Sequence, residues 1–328
     1  MKLHHCLTAK LASIDRAEVD LHPALAKPGF DLHVPERRFS NERPSVIEAL
    51  TEKVKRILPG GSKDAPLIPV VRLSGTIGKT GRLQTGLNMQ GVAGPLAKAF
   101  AIKKAPAIAL VIDSPGGSPV QSHLIFKRIR ALAKEKEKTV LVFVEDVAAS
   151  GGYMIACAGD EIIVDPSSIV GSIGVISAGF GFVEAIGKLG IERRVYTAGE
   201  NKAVLDPFQP EKKDDVERLK ALQEEVHEMF VDLVKSRRSD MLVDDPDLFT
   251  GLFWSGKRAV SLGLADRLGD LRGVLQEKFG EKVRMKVISA EKSFLGRKLG
   301  FGAGIATPLA ETVLGELDDR AMRARYGR

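Results

Sequence analysis

"TVLVFVEDVAASGGYMIACAGDEIIVD" (139–165) decides the fold. Its first nine residues, 139–147, are rich in branched and aromatic side chains and have the length of a buried strand. The small residues that follow permit a sharp turn. Residues 150–158 then read as a short buried helix opening at Ser150, and 161–165 as another strand. Two apolar strands joined through a helix form the unit from which parallel sheets are built.

The same rhythm extends outward. Strands are expected at 67–73, 107–113, 139–147, 161–165 and 191–197, alternating with helices at 94–104, 118–137, 150–158 and 180–189. This predicts an α/β fold with a mainly parallel β-sheet flanked by helices. A long amphipathic helix follows over 209–238, its apolar stripe formed by Val216, Leu219, Leu222, Val226, Phe230 and Leu233. Residues 249–270 read as a helix closed by Gly263 and a return to the core. Residues 1–65 are irregular, with spaced prolines and one helix around 44–58; residues 291–328 turn glycine-rich and then charged. The expected organisation is an N-terminal extension (1–65), one main domain (66–290) and a tail (291–328).

The chain has 328 residues, 44% hydrophobic and 28% charged, which suits a folded globular protein. Its net charge of +7 raises nucleic-acid binding, but the basic residues are interleaved with acids, as in "KRIRALAKEKEK" (127–138). With 3 tyrosines and 1 tryptophan there is little to build a base-stacking surface, so no nucleic-acid partner is expected. Cys6 and Cys157 make no disulfide framework. Cys157, in an apolar run, reads as a buried free thiol of a reducing compartment. No apolar run approaches the ~20 residues of a membrane-spanning helix, and the N-terminus lacks the apolar centre of a secretory signal. A cytoplasmic location follows.

Three loops offer chemistry. "VIDSPGGSP" (111–119) ends a strand and opens a helix, so that its glycines can aim N–H groups at a ligand. Ser150 stands at a helix start, where it is either a capping residue or a nucleophile with the Gly151 N–H as an oxyanion donor. A nucleophilic serine needs a base. Among the histidines, His4, His5, His22 and His33 lie in the irregular N-terminal region, and His227 reads as solvent-facing among charges. Only His123 is near a candidate loop, and it supports a triad poorly. Lys202, in "YTAGENKAVLDPF" (196–208), is the alternative; a lysine serves as base once burial lowers its pKa, and nothing local separates this lysine from a surface one.

"DSPGG" (113–117), "ASGGY" (149–153), "GSIGV" (171–175), "GENKAVLDPF" (199–208) and "WSGKRAVSLGLAD" (254–266) occur in the order seen in the signal peptide peptidase A family of serine peptidases. The resemblance covers roughly residues 67–275. It implies the fold shared by Clp protease subunits and crotonases, and a Ser–Lys dyad made here of Ser150 and Lys202. Ser172 matches the residue that orients the dyad lysine, and Gly116 and Gly117 fall where an oxyanion donor is expected beside Gly151. The implied function is a serine endopeptidase that cleaves apolar peptides or signal-peptide remnants through an acyl-enzyme, with no metal and no cofactor. Members form rings or domes in which neighbouring subunits help complete each site, so a homo-oligomer with peripheral membrane contact is expected. Asp113 stands where many relatives carry asparagine, and the membrane anchor frequent in the family is not seen. The rival readings are a non-catalytic scaffold of the same family and a crotonase-type acyl-CoA enzyme.

Overall fold

The computed structural model describes residues 65–78, 86–289, 324 and 326. The helix expected around 44–58, and nearly all of both end segments, lie outside the described residues. In chain order the elements are β1 (Leu67–Ser74), α1 (Met89–Phe100), β2 (Ala107–Ser114), α2 (Pro119–Lys136), β3 (Thr139–Ala149), α3 (Gly151–Ala156), β4 (Glu161–Val164), β5 (Ile169–Gly171), α4 (Val183–Lys188), α5 (Lys213–Arg238), β6 (Phe253–Ser255), α6 (Gly256–Ser261), β7 (Arg267–Leu268), α7 (Leu271–Phe279) and β8 (Arg284–Val287).

The strands form one sheet in the order β6-β5-β3-β2-β1-β8, with β4 and β7 branching from β3. Every pairing is parallel except β5 with β6. Burial on both faces explains why the central strands read as unbroken apolar runs. Along β2, Ile108, Leu110 and Ile112 face a core shared with Leu96, Phe100, Ile125, Ile129 and Phe230. The alternate residues Ala107, Ala109 and Val111 pack on the other face with Val274 and Leu275 of α7.

Helix starts follow their caps. Asn88 accepts from the Gly91 N–H at 3.0 Å, so α1 begins before the expected 94. Ser118 caps α2, and Pro119 occupies its first turn, where a missing N–H costs nothing. β3 forks: Leu141–Val144 pair with β4, whereas Val147–Ala149 pair with β5. The register of β3 on β2 shifts between Val144, opposite Ile112, and Ala148, opposite Ser114, as the strand forks. The loops that follow β2 and β3 therefore meet at the carboxyl end of the parallel strands, where open α/β sheets place their ligands.

Three expectations change. Residues 191–197 form no strand and are exposed; the sheet ends beyond β5 with the antiparallel β6. The expected helix at 180–189 shortens to α4, which buries none of its side chains. The long helix starts at Lys213, after Pro210, and only its C-terminal part, with Phe230, Leu233, Val234 and Arg238, is buried.

Candidate active site

Ser150 joins β3 to α3 with φ +50° and ψ −122°. Such a backbone is costly for a residue with a Cβ, of order 1–3 kcal/mol, and persists only where the surroundings hold it. They do: the Ser150 N–H donates to the Gly171 carbonyl at 2.8 Å, and its own carbonyl accepts from the Met154 N–H at 3.0 Å. The residue occupies the N-cap position of α3, yet its side chain makes no capping hydrogen bond. The residue instead lines a cleft of about 590 Å³.

Close approach of three backbones explains the small residues around it. A Cβ on Gly116 would lie 2.8 Å from both the Ala149 carbonyl oxygen and the Ser150 Cβ. One on Gly152 would collide with the Ser114 carbonyl, and one on Gly151 with the Ser122 hydroxyl. The glycines thus let α3 sit directly against the β2–α2 loop. Gly117 and Gly151 both line the cleft. The Gly151 N–H opens α3 and has no partner within the helix, and among the described residues no acceptor meets the Gly117 N–H. Gly116 is placed differently. Its N–H donates to Ser114 Oγ at 3.3 Å and its carbonyl accepts from the Ile77 N–H, and it does not line the cleft.

Ser172 lines the same cleft, held at φ +53° by donation of its N–H to the Leu252 carbonyl. Its hydroxyl accepts from the Tyr326 hydroxyl at 3.2 Å. Tyr326 packs edge-on against Phe253, with ring centroids 5.0 Å apart, and also lines the cleft. Nothing in the charged C-terminal sequence marked this residue.

His227 differs from the expected solvent-facing residue: it is half-buried, lines the cleft, and its Nε2 stands 3.1 Å from the Ile173 carbonyl oxygen. The spacing of Val226 and Phe230, which turn toward the cleft on the same helix, could have revealed it. His123 lies away from the cleft, stacked on Phe126; burial, then the neighbouring Lys127, lower its pKa. Lys202 is exposed, on a turn where its N–H donates to the Gly199 carbonyl, and it does not line the cleft.

The rest of the lining combines an apolar floor, with Met154, Phe230 and Phe249, and a polar wall on α5, with Lys220, Gln223 and Glu224. Beneath it, α3 is fixed at its far end. Arg237 donates to the Cys157 and Gly159 carbonyls and Arg130 to the Ala158 carbonyl. Cationic donors there satisfy the last carbonyls and oppose the negative end of the helix. Among the described residues no group of His, Cys, Asp and Glu is arranged to hold a metal ion.

Residues 132–283 match the profile of peptidase family S49. The chain is 56% identical over 296 residues to a Brucella abortus protein named Na(+)/H(+) antiporter NhaA, a match covering 87% of this chain and 40% of that protein. It therefore spans about two fifths of that relative's length. It is 30% identical over 214 residues to a Methanocaldococcus jannaschii protein named as a candidate protease, covering 63% of this chain and 68% of that one. The chloroplastic serine protease SPPA of Arabidopsis thaliana is 31% identical over 195 residues, 58% of this chain and 28% of that one. With a strained serine at the carboxyl end of a parallel sheet and these matches running through it, the chain belongs to peptidase family S49, among relatives of the signal peptide peptidase A and SohB type.

Proposed function

We propose that the chain is an endopeptidase in which Ser150 attacks the peptide carbonyl and Lys202 of a second copy is its base. The observation that carries this reading is the Ser150 hydroxyl, held on a strained turn, uncommitted to capping, in a cleft with two free N–H groups. Neutral Lys202 takes the Ser150 proton as Oγ bonds to the carbonyl carbon. The oxyanion is received by the Gly151 and Gly117 N–H groups; losing one such donor typically costs about 3–4 kcal/mol of transition-state stabilisation. Lys202 returns the proton to the departing amine as the C–N bond breaks. Water then attacks the acyl-enzyme, giving a proton to Lys202, which restores it to Ser150. Ser172 orients the lysine.

A lysine can act in this way only where water is excluded. Lys202 is exposed in the single chain, and the segment that carries it also exposes Phe180, Leu189, Ile191 and Tyr196. An apolar surface around the required base supports a neighbouring copy as what covers it. The apolar floor favours extended apolar peptides, signal-peptide remnants among them. Among the described residues no helix is long and apolar enough to cross a membrane; the antiporter name of the Brucella relative supports work beside one.

The test is subunit mixing with a fluorogenic apolar peptide. Ser150→Ala and Lys202→Ala should each lower turnover at least ~10³-fold, as loss of a nucleophile or its base does. Mixed and reassembled, the two inactive proteins should regain activity, because one contributes the serine and the other the lysine. No recovery from a mixture shown to exchange subunits would refute sharing, and full activity of Lys202→Ala would refute the base.

A further inference from the structure

The Lys202-bearing segment contains one buried charge, and its surroundings fit a device for aiming the lysine. The Asp206 side chain is 4% exposed although the residues around it are half-buried or open to solvent. Its Oδ1 accepts from the Phe208 N–H at 3.0 Å. Its Oδ2 accepts no hydrogen bond among the described residues, but Arg193 Nη2 stands 2.9 Å away, so this oxygen is held by charge. The same guanidinium lies 4.7 Å over the Phe208 ring, which stacks on Phe182 at 5.5 Å. The Phe182 N–H closes the cluster by donating to the Pro207 carbonyl at 2.6 Å. One residue before Asp206, Leu205 adopts φ +57°, and its N–H donates to Asp215 Oδ2 of α5 at 3.2 Å.

An ion pair with one buried partner, here Asp206 beside a 38% exposed Arg193, is a poor source of net stability, because desolvation of the carboxylate offsets much of the attraction, but it fixes geometry. Here it fixes a segment that α4 does not anchor, since α4 buries nothing. The turn bearing Lys202 begins at Gly199, at φ +103°, and runs directly into Leu205 and Asp206. We infer that Asp206, locked by Arg193 and Phe208, is a positioning residue that presents Lys202 in a fixed direction before a second copy covers it. This rests on Lys202 being the base. The arrangement lowers the ordering cost of assembly, because the lysine-bearing turn is already shaped.

The subunit mixture separates this role from a general structural one. Asp206→Asn keeps the acceptor for the Phe208 N–H and removes the charge that faces Arg193. Placed in the Ser150→Ala subunit, which supplies the lysine, it should lower turnover per titratable serine at least tenfold and leave KM within twofold. Placed in the Lys202→Ala subunit, which supplies the serine, it should leave turnover within twofold. Arg193→Met in the lysine-supplying subunit should behave as Asp206→Asn does, and Arg193→Lys should restore most of the rate. Equal losses from both placements, or no loss from either, would overturn the inference. Failure of the parent mixture would strike the shared site before Asp206 is altered. Asp206→Asn then has to lower kcat, with KM unchanged, in the homogeneous enzyme, provided Lys202→Ala is inactive there; an unchanged kcat overturns the inference.

Discussion

The sheet core and the segment from Ile176 to Phe208 use the same kinds of side chain and treat them in opposite ways. Ile108, Leu110, Ile112, Val140 and Val142 are completely buried, whereas Phe180, Leu189 and Tyr196 are 80%, 73% and 90% exposed. The first region is specified by its own burial, since each large side chain it encloses contributes about 1.5–3 kcal/mol. The second keeps its shape through local polar links, above all the Asp206–Arg193 pair, and leaves its apolar surface exposed. Stability and function are thus distributed unequally. The core holds Ser150, and the exposed segment holds the residue proposed to activate it.

Paired truncations test that division most strongly. Leu110→Ala should cost about 2–5 kcal/mol in denaturant unfolding, the usual range for a large-to-small change in a packed core. Leu189→Ala should change the stability of the isolated chain by less than about 0.5 kcal/mol, and should weaken assembly in sedimentation. Comparable destabilisation by the two would mean that the exposed segment packs on its own chain, and the comparison would fail.

A smaller effect is expected beneath the nucleophile. The buried Tyr153 hydroxyl donates to the Leu264 carbonyl at 2.8 Å, tying α3 to the turn after α6. Tyr153→Phe retains the ring and orphans that carbonyl, so a loss of about 1–3 kcal/mol is expected. Calorimetry should show it as a lower Tm. An unchanged Tm would mean that water replaces the donor and that the turn is open.

The core was legible in the sequence because burial on both faces writes strands as continuous apolar runs, and β1 to β4 fall close to the expected ranges. β5, β6 and β7 are two or three residues long, too short for any periodicity to register. The strand expected at 191–197 rests on the strand-like side chains of "IERRVYT", but the segment forms no strand and stays exposed, so that those side chains gain no burial. The stripe along α5 marked a helix correctly but could not say what covers it: Phe230 and Leu233 are buried by this chain, while Leu222 is exposed. The Ser150 turn was visible through its glycines, which the convergence of three backbones requires. Ser172 is singled out by resemblance alone, and Lys202, an alternative base from its glycine-containing segment, is separated from a surface lysine only by that resemblance. His227 was misread because Glu224, Glu225 and Glu228 hid the inward-facing side of the helix.

Cys157 gives a test that shows only at high pH or when the core opens. The thiol closes α3, is fully buried, and burial pushes its pKa up to about 12 from 9.0. The raised value fixes the sign. Below pH 9 the thiol is protonated in both states and titration contributes nothing to the pH dependence. Between pH 9 and 12 the unfolded chain releases a proton that the folded chain retains, so stability falls by up to about 1.4 kcal/mol per pH unit. Cys157→Ala should remove that component, and the difference between the two stability-versus-pH curves should grow across this window and level off above it. At pH 8 the native thiol should also resist iodoacetamide except at the rate of unfolding. Rapid alkylation, read by mass at the peptide containing Cys157, would show that the core beneath Ser150 opens as readily as the exposed segment, and would erase the contrast between the two regions.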